Sequence, residues 1–506
     1  MENGKKYKVT KFENSDLKKE KDGKISKNIL NKMKPARRKR NIFKTFGFYV
    51  TIIFLIVSSI GLILIWGTNI YDNAIVQFLT IKDNGAFFNI WRDPKINLIV
   101  RIYPFNYTNI EAVFAGKEKL RVQEIGPYVF RENNVKSNVR FSGKEYITFS
   151  YNRTLTYLSK LSKGSLNDTI ITPNVISISA LDKVSKENLK EMGLRFILAL
   201  FKIKPFSTVS SYEFIMGYDD NFSLMLRKIN TLLKKEVHPP FGILTKRKGL
   251  SADNITIGTG VPESSHIGII KKYNGKEKLD FWNDTSCNNI TASDGFLFPR
   301  SFASDSDVIY IYAKDLCRRI PLKFQKEFID VDGYPVRRFV LPQNVYSTPD
   351  INPENSCFCY ESCPLSGIHN VSSCFYDAPL IVSQPHFLYG DPILFENIKG
   401  LDPQPEKHSY YMDLHKDFGF PLRGHTRVQL GIVVKKGSLL SRLKSYSNET
   451  VLPITWMDFE IAGLPENINK LMYLATFVAP IIKTLIKCGF LILFIFTLII
   501  LIYYLR

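Results

Sequence analysis

The chain has 506 residues and a formal net charge of +21, and its first 45 residues hold sixteen Lys or Arg against five Asp or Glu. A basic run such as KMKPARRKR at residues 32–40 also occurs in nuclear signals and nucleic-acid-binding arms. Because an apolar span follows almost at once, we expect no nucleic-acid partner. The positive-inside rule predicts instead that residues 1–45 form a basic cytosolic tail, with contact to anionic lipids as a further role.

Residues 46–66 contain no charged side chain, and twenty-one helical residues at about 1.5 Å each span a hydrocarbon core. A cleaved signal peptide has a shorter apolar core and starts nearer the N-terminus. Residues 488–505, CGFLILFIFTLIILIYYL, form a second apolar run. Two transmembrane helices with a cytosolic N-terminus put both termini in the cytosol, so residues 67–487 are predicted to form an ectodomain outside the cytosol or in a lumen.

Two further features place the segment between the spans in an oxidising, glycosylating compartment. Nine Asn-x-Ser/Thr sequons all lie between the spans, at Asn106, Asn152, Asn167, Asn221, Asn254, Asn283, Asn289, Asn370 and Asn448. Six of the seven cysteines lie there too, at Cys287, Cys317, Cys357, Cys359, Cys363 and Cys374. An even number suits disulfides.

A zinc site is the alternative interpretation of these cysteines. Its ligands would be Cys357, Cys359, Cys363 and His369. The CxCxxxC spacing lacks the paired two-residue spacings of zinc ribbons, and an oxidising compartment disfavours thiolate ligands. We therefore expect no metal.

Within the predicted ectodomain, apolar residues alternate at 96–102, and β-branched runs recur at 308–313, 336–341 and 428–434. Period-2 alternation is typical of strands, so these segments predict an antiparallel sheet or barrel. The pattern becomes helical at about 182–235, which predicts a helical insert. No linker or repeat divides the segment, and we expect one domain.

The helical insert carries two apolar stripes. They consist of Leu189, Met192, Phe196 and Leu200, and then of Leu226, Ile229 and Leu233. Such stripes are more often core-packing faces than ligand sites. Residues 194–201, LRFILALF, are apolar nearly all round, so this helix is expected to be buried, to meet a partner or to line an apolar cavity. Lys202 and Lys204 follow it, and from the residues alone they are ordinary solvated charges.

The sequence has no nucleophile elbow, HExxH zinc helix, P-loop or dinucleotide fingerprint. Ser383 and His386 come nearest to a catalytic pair, but no third group is identifiable. We expect no enzyme activity and no cofactor.

Several long segments resemble the scavenger receptor class B family in order along the chain. They include GAFFNIWRDP at 85–94, EIGPYVFRE at 124–132, LDFWNDTSC at 279–287 and PHFLYGDP at 385–392. The resemblance spans both apolar runs and nearly all of the intervening segment. It implies the pairings Cys287 with Cys357, Cys317 with Cys374 and Cys359 with Cys363, whereas sequence alone leaves fifteen connectivities open.

The resemblance also implies an α+β fold: a large antiparallel β-barrel-like ectodomain with an apical helical bundle and an apolar tunnel, anchored by two transmembrane helices. In relatives, lysines just before the block that matches 206–218 help to bind acidic or acylated ligands, which makes Lys202 and Lys204 candidate ligand-binding residues.

The implied function is binding of lipids (fatty acids, sterols or phospholipids) or lipoproteins, with transfer of lipid through the tunnel to the bilayer. The alternative is a lysosomal membrane receptor that carries a soluble hydrolase, or that exports lipid. Lysosomal relatives carry a dileucine signal in a C-terminal tail that has no counterpart after Arg506. We therefore expect the plasma membrane rather than the lysosome.

Overall fold

In a computed structural model, the described residues are 43–506 except 97, 186, 235–239, 360–362 and 436–448. The predicted tail therefore lies almost entirely outside the described residues, and so does Asn448. The chain divides into two compact units, Met1–Ile75 together with Tyr473–Arg506, and Val76–Met472.

The helices are α1 (Phe43–Gly67), α2 (Ile70–Leu79), α3 (Ala86–Arg92), α4 (Ile110–Phe114), α5 (Val175–Val184), α6 (Asn188–Leu200), α7 (Ser211–Met216), α8 (Asn221–Leu232), α9 (Arg300–Asp305), α10 (Ile393–Glu396), α11 (Pro405–His408), α12 (Glu466–Tyr473) and α13 (Ala479–Leu505).

The strands are β1 (Leu98–Tyr107), β2 (Leu120–Glu124), β3 (Tyr128–Ser142), β4 (Tyr146–Tyr157), β5 (Thr169–Pro173), β6 (Phe206–Ser210), β7 (Gly249–Leu250), β8 (Ile255–Gly258), β9 (Ile270–Tyr273), β10 (Val308–Ala313), β11 (Arg318–Ile329), β12 (Pro335–Val340), β13 (Ile368–Asn370), β14 (Leu380–Ser383), β15 (Ile398–Lys399), β16 (Tyr411–His415), β17 (Pro421–Lys435) and β18 (Glu449–Ile461).

Helices long and apolar enough to cross a membrane are α1 and the stretch Glu466–Leu505, most of which lies in the first unit. This agrees with a two-span membrane protein. The second helix extends further than the predicted span, because α13 begins at Ala479 rather than at Cys488.

Small residues let α1 and α13 approach closely. A Cβ atom on Gly61 would lie 2.5 Å from the ring of Phe490, and one on Gly47 would lie 2.5 Å from the Tyr504 hydroxyl. Glycine at such contacts is typical of transmembrane helix pairs, in which van der Waals packing drives association.

The second unit is built on a nearly closed antiparallel sheet. Its principal path runs β10-β11-β12-β16-β17-β18-β1-β3-β4-β8-β9. The two ends of this path meet through Ala292 and Ser293: the Ile270 N–H donates to the Ala292 carbonyl at 2.9 Å, and the Ser293 N–H donates to the Tyr310 carbonyl at 3.0 Å. The predicted α+β fold with a barrel-like sheet is confirmed.

The predicted strands correspond to observed ones. Residues 308–313 coincide with β10, residues 336–341 overlap β12, and residues 428–434 lie within β17. On β1, Val100 and Ile102 are completely buried, whereas Arg101 on the other face forms ion pairs with Asp458 and Glu460. The alternation that predicted this strand therefore separates its two faces.

Helices α5 to α8 and the hairpin β5–β6 form the helical insert, and their small core consists of Leu181, Leu198 and Phe222. Three helix starts are capped locally, and at α5 the Asn174 side chain accepts the Ser177 N–H. Ser210 and Glu213 form a capping box at α7, and the Asp220 carboxylate accepts the Ser223 N–H at the start of α8.

The prediction that the first apolar stripe packs into the core is wrong. On α6, the side chains of Leu189, Met192, Phe196 and Leu200 are 65–79% exposed. The face of α6 that packs is instead the one that carries Leu198, because this face meets α5 and α8. In the second stripe, Leu226 is half-buried, whereas Ile229 and Leu233 are exposed.

Candidate ligand-binding cavity

The barrel encloses a cavity of about 850 Å³, a size typical of sites for small organic ligands. Strands from opposite sides of the sheet contribute apolar side chains to its wall. These include Ile255, Ile270, Ile311, Ile320, Leu341, Leu380, Val382, Met412, Val428, Leu430, Met457 and Phe459. This wall offers an apolar ligand shelter from water.

The cavity wall is also positively charged. Among the described residues that line it, eight are basic and four are acidic. The basic ones are Lys95, Lys136, Arg153, Arg227, Lys246, Arg247, Lys314 and Arg427, and the acidic ones are Asp93, Asp219, Asp294 and Asp315. An excess of positive charge around an apolar space favours a ligand that has both an apolar part and an anionic part.

The strand pair β3–β4 carries a row of polar side chains on its inward face. Asn134 pairs with Arg153, and Lys136 pairs with Tyr151. Two residues before Asn134, Glu132 is completely buried and its carboxylate accepts hydrogen bonds from the Nε and Nη2 atoms of Arg247, each at 3.0 Å. Charged groups therefore stand inside the barrel beside the apolar residues of the cavity wall.

Lys136 is held in an aromatic enclosure. Its ammonium donates to the Trp91 carbonyl at 2.9 Å and lies 3.9 Å from the centre of the Phe296 ring. Burial lowers the pKa of Lys136 to about 8, while the nearby Asp294 and Asp93 act in the opposite direction. The cation is thus stabilised by a carbonyl and by ring faces rather than by a direct ion pair.

A family model described as the CD36 family matches residues 50–505 of the chain. The chain therefore belongs to the CD36 family. The family resemblance seen in the sequence is confirmed.

Individual relatives are similar to this chain over most of their length. Scavenger receptor class B member 1 of Bos taurus is 29% identical over 432 residues, which cover 85% of this chain and 82% of that protein. Lysosome membrane protein 2 of Mus musculus is 30% identical over 370 residues, which cover 72% of this chain and 75% of that protein. Neither name is that of an enzyme.

In this CD36-family chain, Lys202 and Lys204 are exposed just after α6, and neither lines the cavity. The Lys202 N–H donates to the Ala199 carbonyl and the Ile203 N–H donates to the Leu198 carbonyl, which is a Schellman motif. Lys202 occupies its left-handed position with a φ of 54°. The two lysines therefore lie at the negative end of the α6 dipole, where cations are favourable.

The disulfides in the structure join Cys287 to Cys357, Cys317 to Cys374, and Cys359 to Cys363. This is the pairing that the family resemblance implies. The three cysteines of the alternative zinc site are all oxidised here, so none is a thiolate ligand. His369 is buried, with its Nε2 atom 3.4 Å from the Leu316 carbonyl, and burial keeps its pKa well below the ordinary value.

Ser383 and His386 are both buried but have separate partners. The Ser383 hydroxyl accepts a hydrogen bond from Gln429 Nε2 at 3.1 Å, whereas His386 Nε2 lies 2.6 Å from the Glu124 carboxylate. His386 Nδ1 accepts the Asp402 N–H at 3.0 Å. Both nitrogens of His386 are therefore occupied by groups other than Ser383.

His386, His408 and Glu124 offer three candidate metal ligand atoms within 4.8 Å of one another. The two imidazole rings stack with their centres 4.6 Å apart. His408 Nδ1 accepts the Gln404 N–H at 3.0 Å, as His386 Nδ1 accepts that of Asp402. A neutral ring with Nδ1 as acceptor carries its proton on Nε2, whereas a metal-bound Nε2 needs a donor at Nδ1. The arrangement fits hydrogen bonds by which the two histidines hold the segment 402–408 in place.

Six of the sequon asparagines are exposed, two are half-buried and one lies outside the described residues. The exposed ones are Asn152, Asn167, Asn221, Asn254, Asn283 and Asn370, and the half-buried ones are Asn106 and Asn289. Exposed side chains leave room for a glycan in the folded protein.

Sequence reasoning missed Lys136, Arg153 and Arg247, which are among the charged residues of the cavity wall, and the buried Glu132 beside them. One signal was available. In ENNVKS at 132–137, charged or polar residues recur at every second position of a strand, where an apolar row is expected. Arg247 lies in a separate segment, and only the fold brings it to Glu132.

Proposed function

We propose that this chain is a class B scavenger receptor-like membrane glycoprotein that binds lipids or lipoproteins and transfers lipid through its cavity to the bilayer. The observation that carries the proposal is the apolar cavity of about 850 Å³ inside the barrel of a two-span member of the CD36 family. Mass action and burial of the acyl chain drive the movement, and no covalent step is involved.

The energetics favour an acyl chain as the cargo. Each methylene removed from water contributes about 0.8 kcal/mol, so a long chain gains roughly 10 kcal/mol before the costs of ordering and association. The Ile, Leu, Val and Met side chains of the cavity wall offer such a chain an apolar surface. The residual affinity is low enough to permit release into a bilayer, where the chain is equally well shielded.

The membrane arrangement that we propose has both termini in the cytosol and residues 67–487 outside it. The excess of Lys and Arg before α1 and the nine sequons between the spans support this orientation. The plasma membrane is the proposed location. Since each end of the ectodomain continues into an apolar helix, the receptor is tethered twice to the bilayer into which it delivers lipid.

Lys202 and Lys204 are proposed to capture acidic or acylated ligands at the surface before lipid enters the cavity. Their exposure and their position beside the exposed apolar stripe of α6 support this role. The double charge reversal Lys202→Glu with Lys204→Glu is expected to weaken binding of an acylated ligand to intact cells, while the cavity itself stays unchanged.

The test of cavity transport uses cells that express the full chain. Val428 on β17 lines the cavity, and Val428→Trp places a large ring within it. We expect uptake of a fluorescent fatty acid to fall severalfold toward that of untransfected cells. The matched control is Gln325→Trp, which adds the same ring at an exposed position of β11 that does not line the cavity. Equal uptake by the wild type and by untransfected cells would refute the proposal.

A second candidate function is a lysosomal receptor that carries a soluble hydrolase or exports lipid. The exposed stripe Leu189, Met192, Phe196 and Leu200 favours it, because an apolar helix face of this kind is typical of a protein contact. Affinity capture of luminal proteins at neutral and acid pH, compared between the wild type and Phe196→Glu, tests this function. Loss of one luminal protein with Phe196→Glu would support it, and identical capture would exclude the stripe as its site.

A further inference from the structure

The buried Glu132 carboxylate on β3 faces two guanidinium groups, those of Arg247 and Arg153. Glu132 uses both oxygens as acceptors for Arg247. Arg153, whose side chain is 7% exposed, approaches the same carboxylate with its Nε atom 3.4 Å from Oε1. Among the described residues, the Nε atom of Arg153 has no hydrogen-bond partner. A buried donor on a charged group is costly to leave unpaired.

The residue directly opposite Arg153 shows the complementary deficiency. Asn134 is its cross-strand partner, and the buried Oδ1 atom of Asn134 also has no hydrogen-bond partner among the described residues. Both side chains line the cavity. An unpaired cationic donor and an unpaired amide acceptor thus lie side by side on the cavity wall.

The charges around Arg153 indicate that its missing partner is an anion. Arg247 lies against the same carboxylate as Arg153, and among the described residues its other acidic partner is Asp315, at 3.6 Å, whose side chain is 47% exposed. The nearest ring, that of Tyr151, lies under the Arg153 guanidinium at 4.7 Å, and its hydroxyl is committed to Asp294. Burial and the repulsion from Arg247 lower the pKa of Arg153, which is consistent with a shortage of negative charge.

We propose that Arg153 and Asn134 form the headgroup site of the cavity, and that its ligand is a lipid with an anionic oxygen, either a carboxylate or a phosphate monoester. The anionic oxygen accepts from Arg153, and in a ligand that also carries a hydroxyl, such as lysophosphatidic acid, that hydroxyl donates to Asn134. The hydrocarbon chain then lies along the apolar wall. This inference rests on the proposed function, because it presupposes that the cavity holds a lipid.

Three ligands with the same hydrocarbon chain distinguish the headgroup. Oleate offers a carboxylate, lysophosphatidic acid with an oleoyl chain offers a phosphate and a hydroxyl, and oleyl alcohol is neutral. Each competes for crosslinking of a photoreactive, alkyne-tagged oleyl alcohol to the purified full-length chain in detergent. The neutral probe keeps the readout independent of the proposed charge contact.

Arg153→Gln is expected to weaken competition by oleate and by lysophosphatidic acid about 10- to 100-fold, the range of one charge-assisted hydrogen bond, and to leave that by oleyl alcohol unchanged. The pair Glu132–Arg247 stays intact in this variant. The control is Arg131→Gln, on the exposed face of the same strand β3. If one anion competes better than the other in the wild type, that ligand identifies the headgroup.

Asn134→Asp is a nearly isosteric second variant. It places a carboxylate opposite Arg153 and so occupies the site from within the protein. We expect this variant to fold and to weaken binding of both anions, as Arg153→Gln does. The control is Asn138→Asp at an exposed position of β3, which is expected to leave binding of both anions unchanged.

Failure of the proposed function and failure of the headgroup site give different results in this experiment. If the wild type crosslinks no probe, and none of the three lipids binds directly, the proposed function is wrong and the headgroup site falls with it. Two results would show that the cavity binds lipid without this headgroup site. In the first, the probe crosslinks, but Arg153→Gln and Asn134→Asp leave competition by both anions unchanged. In the second, the two variants weaken competition by oleyl alcohol as much as competition by the anions.

Discussion

At the scale of single residues, His415 shows how burial alone changes a protonation equilibrium. It is completely buried at the end of β16, and its Nδ1 atom accepts the Asp417 N–H at 3.1 Å. Burial lowers the pKa of His415 to about 3, against an ordinary value of about 6.5. The folded protein therefore holds a neutral imidazole, whereas the unfolded chain takes up a proton as the pH falls below about 6.5.

The free energy of unfolding is predicted to fall as the pH decreases from about 6.5 toward 3. Between pH 7 and pH 5, His415 alone is expected to remove on the order of 2 kcal/mol, because the unfolded state binds more protons. Urea unfolding at the two pH values measures this loss. His415→Gln is expected to flatten the dependence, whereas His266→Gln, at a mostly exposed position, leaves it unchanged.

A steep dependence that persists in His415→Gln would show that other groups dominate. His408 is a second candidate, since burial and the neighbouring His386 lower its pKa to about 4, although Glu124 acts in the opposite direction. Either result bears on location, because a protein that works in an acidic lumen has to tolerate this loss of stability.

At the scale of elements, helix α6 has two apolar faces with different roles. Leu198 is almost fully buried against α5 and α8, whereas Phe196 is 71% exposed. We predict that Leu198→Ala lowers the free energy of unfolding by about 2–5 kcal/mol, and that Phe196→Ala changes it by less than about 0.5 kcal/mol. Urea unfolding of the two variants checks the difference.

A large destabilisation by Phe196→Ala would mean that the stripe is covered in the folded protein, and it would weaken the case for a partner there. Helical periodicity predicted α6 but identified the wrong face as the packing face. The periodicity of one helix does not distinguish core from exposed surface when a second apolar row is present, because only neighbouring helices decide which row is covered.

At the scale of the whole molecule, the topology is the most direct test of the membrane arrangement. We predict that glycosidase treatment lowers the apparent mass of the full chain, since six sequon asparagines are exposed. Epitope tags at either terminus are expected to be stained only after the plasma membrane is permeabilised. A tag in the ectodomain, inserted directly after Val331 on the exposed turn that follows β11, serves as the control that is stained in intact cells.

Staining of an N-terminal tag in intact cells would overturn the orientation. Absence of any glycosidase shift would show that the segment between the spans does not enter a glycosylating compartment.

The amino-acid sequence by itself determined the two apolar helices, the alternating strands such as β10 and the helical character of the insert, because these depend on the order of apolar and polar residues along a short segment. It also revealed the family, through long matching segments. The tertiary structure alone decided which face of α6 is exposed, and it brought Glu132, Arg153 and Arg247 together from three segments of the chain. Charge compensation and cavity volume arise from contacts between residues far apart in sequence, and local patterns carry no record of such contacts.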